Sequence, residues 1–205
     1  MNKWKFVGGN IAIDFVNSIG GRNEKGIDNY TIRDEKLNSY EDIVNWAEEI
    51  GIVSTVFSKK LIAAASENSK EANKVFERAK LLREALYRIF RHTIEEKKPL
   101  TEDIEILNKE CSIARGHQEL NFSLNKFFWD FKFGDQYLDI ILWNVALSAA
   151  ELLTSERLFR LKRCAGEDCG WLFLDMSKNQ SRQWCDMKDC GNFEKVRRFR
   201  EKQRI

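Results

Sequence analysis

The chain has 205 residues, with 34 basic and 32 acidic side chains and a net charge of +2. A hydrophobic content of 43% suffices for a packed core, and 32% charge with a single proline points to a helix-rich globular protein. The longest apolar stretch, Ile140 to Leu153, is broken by Asn144, Ser148 and Glu151, too short and too interrupted for a membrane span. The first residues lack the apolar pattern of a secretory leader, so the expected location is cytoplasmic.

Along the chain, Ile11, Ile13 and Phe15 alternate as in a strand, but a short buried helix fits them nearly as well. Residues 20–29 are polar and glycine-bearing and read as a loop. Tyr40 to Ile50 is a helix with Ile43, Trp46, Ala47 and Ile50 on one face, and Gly51 stops it. Ser58 is placed to cap a helix through Leu61 to Ala65. The strongest periodicity follows: Val75, Ala79, Leu82, Leu86 and Ile89 recur at intervals of four and three, predicting a helix over 69–96 that ends before Pro99. A core-facing bundle helix explains its wide stripe better than a coiled coil does. Thr101 is the expected cap of the next helix, which uses Ile104, Leu107 and Cys111 and ends at Gly116. Cys111 reads as an ordinary, partly buried thiol.

Between Gln118 and Phe133 the period changes to two, in two runs around the polar pair Asn125-Lys126, predicting a β-hairpin. Its aromatic run, Phe127 to Phe133, reads as hairpin core before ligand box, with a dimer face as the alternative. Gly134-Asp135 then opens a helix over 136–153, apolar on more than one face and therefore central. Residues 157–163 read as a strand delivering Cys164. The fold expected is mainly α with a small β component. A helical body with a hairpin (residues 1–156) precedes a cysteine module ending in a basic helix (residues 157–205).

Charge separates these two parts. From residue 157 onward there are 13 basic and 7 acidic side chains, net +6; the preceding residues hold 21 and 25, net −4. A basic tail on an acidic body suits a polyanion partner.

The tail holds Cys164, Cys169, Cys185 and Cys190, two C-x4-C pairs separated by fifteen residues. Paired thiolates on tight turns suit a tetrahedral Zn²⁺ site, and in a reducing compartment metal ligation is favoured over disulfides. A [2Fe–2S] cluster also takes four thiolates, but zinc is the more economical reading. Neither histidine, His92 or His117, lies near this segment. Four protein ligands leave no open coordination position, so the expected role is structural. Few large apolar residues surround the cysteines, and about forty residues with so small a core rarely fold unaided.

After Cys190, Gly191 permits a turn and Asn192 is a good cap for a basic helix over 193–204. Phe193, Val196, Arg197 and Arg200 share one face; Lys195, Arg198 and Lys202 lie on the other side. Such a helix suits DNA, with Lys195, Arg197, Arg198 and Arg200 toward phosphates or base edges; Ser181 and Arg182 are placed to add phosphate contacts. In the body, Asp14 and Asn17 stand three apart in an apolar segment. They are candidates for binding a small effector or, more economically, for bridging buried backbone. Arg22 and Arg33 could receive an anion.

The pattern Cys164-x4-Cys169-Gly170-Trp171-Leu172-Phe173-Leu174-Asp175, then Ser181-Arg182-x-Trp184-Cys185-x-Met187-x-x-Cys190-Gly191-Asn192 and Lys195-Val196-Arg197-Arg198, closely resembles the CGNR zinc finger. The segment Gly9 to Ser18, with Tyr40 and Trp46, resembles the ABATE domain that precedes that finger in a bacterial family described as stress-induced transcription regulators. The resemblance covers essentially the whole chain and implies zinc on the four cysteines and DNA binding by the finger. One residue departs: the arginine of the name motif is Phe193 here. That leaves metal binding untouched and removes a cation from the DNA-facing side or from packing on the finger.

No nucleophile elbow, H-E-x-x-H, Walker or dinucleotide-binding pattern occurs, so no enzyme is expected. The expected function is zinc-dependent DNA binding by a transcription regulator whose body senses a small molecule or forms a homodimer. The alternative is a structural or protein-interaction zinc module on a body that binds a small molecule.

Overall fold

A computed structural model describes residues 3–132 and 137–203, without the side chain of Lys202. Helices dominate, with three two-stranded antiparallel sheets among the described residues. The chain opens with α1 (Ile11–Val16), which settles the ambiguous segment as a helix. Asn10 caps it, accepting from the N–H groups of Ala12 and Ile13, and Ala12 to Val16 are all buried.

The segment expected as a loop is half strand: residues 20–24 belong to β1 (Ile19–Glu24), which pairs with β2 (Tyr30–Glu35), and only residues 25–29 form the connecting loop. Composition misled here because the strand β1, IGGRNE, has little β-propensity. Its buried residues are Ile19, Gly21 and Arg22, and the support comes from tertiary partners. Helices α2 (Tyr40–Glu49) and α3 (Thr55–Glu67) follow, and Gly51, at φ +84°, ends the first as expected. The cap of α3 is Ser54, which accepts from Phe57 N–H at 3.2 Å. Ser58 lies one turn inside and donates its hydroxyl to Glu48 and to the carbonyl of Thr55.

Helix α4 (Ser69–Ile94) is the long periodic helix; Asn68 caps it and its apolar stripe is buried. Helix α5 (Thr101–Gly116) begins one residue after Leu100, with no side-chain cap, so Thr101 is its first residue rather than its cap. Cys111 is buried and donates to the carbonyl of Ala146 at 3.4 Å.

The second hairpin is β3 (Gln118–Ser123) and β4 (Lys126–Phe131). Its turn is Leu124-Asn125, one residue earlier than expected, with both residues at positive φ (50° and 60°) as a type I′ turn requires. Most of the aromatic run is not core: Phe127 and Trp129 are 71% and 65% exposed, and only Phe131 among its described residues packs against the main core. Phe133 and the predicted helix opening at 134–136 lie outside the described residues.

Helix α6 (Ile140–Leu153) is buried around most of its circumference and packs against α1, α4 and α5 at the centre. A 3₁₀ turn over Glu156–Arg160 leads into β5 (Leu161–Arg163), so only the second half of the strand expected over 157–163 is extended. This strand pairs with β6 (Leu172–Leu174). Leu161, Leu172 and Leu174 belong to the main hydrophobic core, and a second, smaller cluster gathers Ile19, Trp171 and Phe173 with Cys164, Cys169 and Cys185. A π turn over Met187–Gly191 runs directly into α7 (Asn192–Lys202), the last element among the described residues. The cap of this unit is Asp186, which accepts from Lys188 N–H; Asn192 is already helical and its amide donates to the Lys188 carbonyl.

Candidate metal centre and its joint with the body

The two β5–β6 strands hold the first cysteine knuckle between them, and the segment from Cys185 into the π turn, which carries Cys190, supplies the second. The four sulfurs of Cys164, Cys169, Cys185 and Cys190 lie within 4.8 Å of one another. Cys185 Sγ is 3.6 Å from the sulfurs of both Cys169 and Cys190. A tetrahedral site with Zn–S of about 2.3 Å has sulfur–sulfur edges of about 3.8 Å, so the donor set fits that geometry. The N–H groups of Cys185 (3.3 Å) and Gly166 (3.5 Å) point at Cys164 Sγ, where they spread thiolate charge. Sulfurs this close cannot all ionise by themselves. S–H donation from Cys169, Cys185 and Cys190 pulls the Cys164 thiol down, while Cys169 and Cys185 are pushed up. A central cation removes that conflict by favouring all four thiolates.

Glycines fit the knuckles closely. Gly170 has φ +64°, and a Cβ there would meet Arg22 Cβ at 2.8 Å; at Gly191 it would meet Met187 Sδ at 2.8 Å. Neither histidine takes part: His92 contacts Asp28 at 3.3 Å, and His117 stacks on Trp143 at 4.4 Å.

Asp14 lies in α1 and Asn17 is its C-cap, three residues on, and both serve the joint between body and module. The Asn17 amide donates to the Leu172 carbonyl at 2.8 Å and accepts from Leu172 N–H at 3.0 Å, completing the outer edge of β6 as a neighbouring strand would. Asp14 Oδ1 accepts from Val7 and Gly8 N–H at 2.9 and 2.8 Å. That fixes the Gly8 carbonyl to receive Leu174 N–H at 2.9 Å. Burial pushes Asp14 up to about 6 against the opposing pull of these donors. Both side chains are buried and their polar atoms face backbone, the bridging alternative expected from the sequence.

Three residues of this joint escaped the sequence reading. Trp171 Nε1 donates to the Ile19 carbonyl at 3.1 Å. Glu24 accepts from Tyr87 and pairs with Arg91 (3.2 Å) and Arg163 (3.0 Å), tying α4 to the residue before Cys164. Desolvation works against the charge of Asp175, but Lys162, the Ser177 hydroxyl and N–H, and Arg182 N–H hold its carboxyl well below the usual carboxylate range. Trp171 and Asp175 stood within the quoted motif; Glu24, in a segment read as loop, left no signal.

The candidate DNA contacts divide. Lys195, Arg198 and Arg200 are exposed, with no ion-pair partner among the described residues. Arg197 differs: it pairs with Glu194 at 2.9 Å and Glu167 at 2.5 Å, locking α7 to the first knuckle. Ser181 is exposed. Arg182 stacks over Phe173 (4.3 Å) and donates to the carbonyls of Trp184 (2.9 Å) and Cys185, so its guanidinium supports the second knuckle from within. Phe193 is 72% exposed and lines a cleft of about 380 Å³ beside Cys190, with Trp171, Arg33 and Lys5. Arg33 donates to the Asp168 carbonyl at 3.0 Å, and Arg22 is buried over the Tyr87 ring at 3.7 Å. Among the described residues no helix is long and apolar enough to cross a membrane.

Residues 160–203 match the CGNR zinc finger family model, following a match of residues 9–156 to the ABATE model. No curated protein matches the chain significantly. With the four-cysteine centre built by the second segment and the joint built by the first, the chain belongs to the ABATE family, described as Putative stress-induced transcription regulator, and carries the CGNR zinc finger after the ABATE region.

Proposed function

We propose that this protein binds DNA through α7, with Zn²⁺ on Cys164, Cys169, Cys185 and Cys190 in a purely structural role. The observation that carries this reading is the division of labour on α7. Glu194 and Arg197 face the finger, while Lys195, Arg198 and Arg200 stand without acidic partners among the described residues, beside exposed Val196 and Phe199. Cations interleaved with apolar groups suit a polyanion whose grooves also present methyl groups. Residues 157–205 are the DNA-binding module in this reading and residues 1–156 the body that holds it. Ser181 lies on the same exposed module and is assigned a secondary phosphate contact.

The test is selection from a random duplex pool by zinc-loaded protein, followed by affinity measurement across a salt series. The expected result is an enriched site, with affinity falling as salt rises. Replacing Lys195, Arg198 and Arg200 by alanine should lower the slope by about one for each phosphate that is no longer neutralised. A pool left unenriched, with no binding at low salt, contradicts the proposal.

A second reading has its own support. The joint at Asn17, Glu24 and Trp171 makes the module an integral part of the body, as a structural zinc element would be. No enzyme is proposed in either reading. An effector at Asp14 and Asn17 would have to displace backbone groups that both side chains already hold.

A further inference from the structure

The β3–β4 arm is unaccounted for by DNA binding. Its register pairs Leu120 with Trp129 and Phe122 with Phe127, placing all four side chains on one face. They are 56%, 65%, 59% and 71% exposed. Phe131, at the base of the arm, joins the main core against Trp143, with ring centroids 5.2 Å apart. Beyond it the two strands pack chiefly on each other. A free two-stranded hairpin is marginally stable in water, and a contiguous apolar face of this kind marks an interaction site.

We infer that this face is the surface through which two copies of the chain associate. No charged residue stands among the four, so the face does not suit a polyanion. It offers roughly 500 Å² of side-chain surface per copy, given the area that aromatic residues bury. Two copies packed face to face therefore bury about 1,000 Å², the lower bound for a specific interface, as a reversible dimer would. The patch is apolar throughout, so it is complementary to a second copy of itself, as an isologous two-fold contact requires. The pairing closes on itself and would bring two α7 helices into one particle, matching a DNA site with two halves.

The proposal does not depend on DNA binding, and its test omits DNA. Sedimentation equilibrium of the zinc-loaded full chain should give a dimer. Phe122→Lys and Trp129→Glu should each halve the apparent mass with unchanged far-UV circular dichroism, while Asn121→Asp, on the opposite face, should remain dimeric. Should a variant misfold, the wild-type protein itself decides. Emission from Trp129, isolated by subtracting the spectrum of Trp129→Phe, should shift to the red as the dimer dissociates on dilution. A wild-type monomer at every concentration overturns the inference. So does a dimer that survives well-folded Phe122→Lys and Trp129→Glu, or a monomer whose Trp129 emission moves only on adding phospholipid vesicles.

Discussion

Asp14 and Asn17 show how two polar side chains in an apolar helix can be structural and still carry consequences. Burial raises Asp14 to about 6, well above the ~3.9 of an unfolded aspartate, so the native state binds this proton more tightly than the unfolded chain does. The stability it contributes is full below the unfolded value and is lost as pH rises through 6. Relative to Asp14→Asn, which does not titrate, the wild type should lose about 2 kcal/mol between pH 4 and pH 7. Urea unfolding of both proteins across that range checks this; a constant difference, or one of opposite sign, refutes it. Asn17→Ala leaves the N–H and C=O of buried Leu172 without partners, at an expected cost of about 2–4 kcal/mol in zinc-loaded protein. A denaturation midpoint within error of wild type would show that the joint is dispensable.

At the scale of elements, legibility in the sequence followed local cause. Helix α4 announces itself by period, and Gly51 by its backbone freedom, because each signal is contained in a few neighbouring residues. The β1–β2 hairpin was invisible because its support is tertiary: Arg22 lies over Tyr87, Glu24 reaches Arg91 and Arg163, and Arg22 N–H meets the Cys169 carbonyl. The cysteine pairs predicted a four-sulfur cluster without any fold, since the spacing itself encodes the chemistry. Spacing could not reveal that Arg182 and Arg197 would be used internally: Arg182 turns onto the nearby carbonyls of Trp184 and Cys185 while lying over Phe173, and Arg197 reaches Glu167 of the opposite knuckle. Leu161, Leu172 and Leu174 of the β5–β6 pair are part of the main core, whereas in the proposed reading the knuckles and α7 depend on the metal. Chelation should therefore raise amide exchange across residues 175–203 and around Cys164–Cys169 at least tenfold, and leave Leu172 and Leu174 protected with the body. Uniform loss of protection over the whole chain, or none anywhere, would contradict that division.

At the scale of the molecule, an acidic helical body carries a basic metal module through a joint made of backbone hydrogen bonds, one buried carboxylate hub and three leucines. The module is thus fixed in orientation, and the apolar β3–β4 arm offers the means to set two such modules in one assembly. The proposed DNA binding depends on one link, the hold of the metal centre on α7. The direct measurement is a single titration in which zinc content by mass spectrometry and affinity for duplex DNA by fluorescence anisotropy are followed together as a chelator is added. Affinity should fall in proportion to bound zinc, at one ion per chain, and return when zinc is restored, with Cys185→Ser weak throughout. DNA affinity unchanged after the metal has gone would contradict the account.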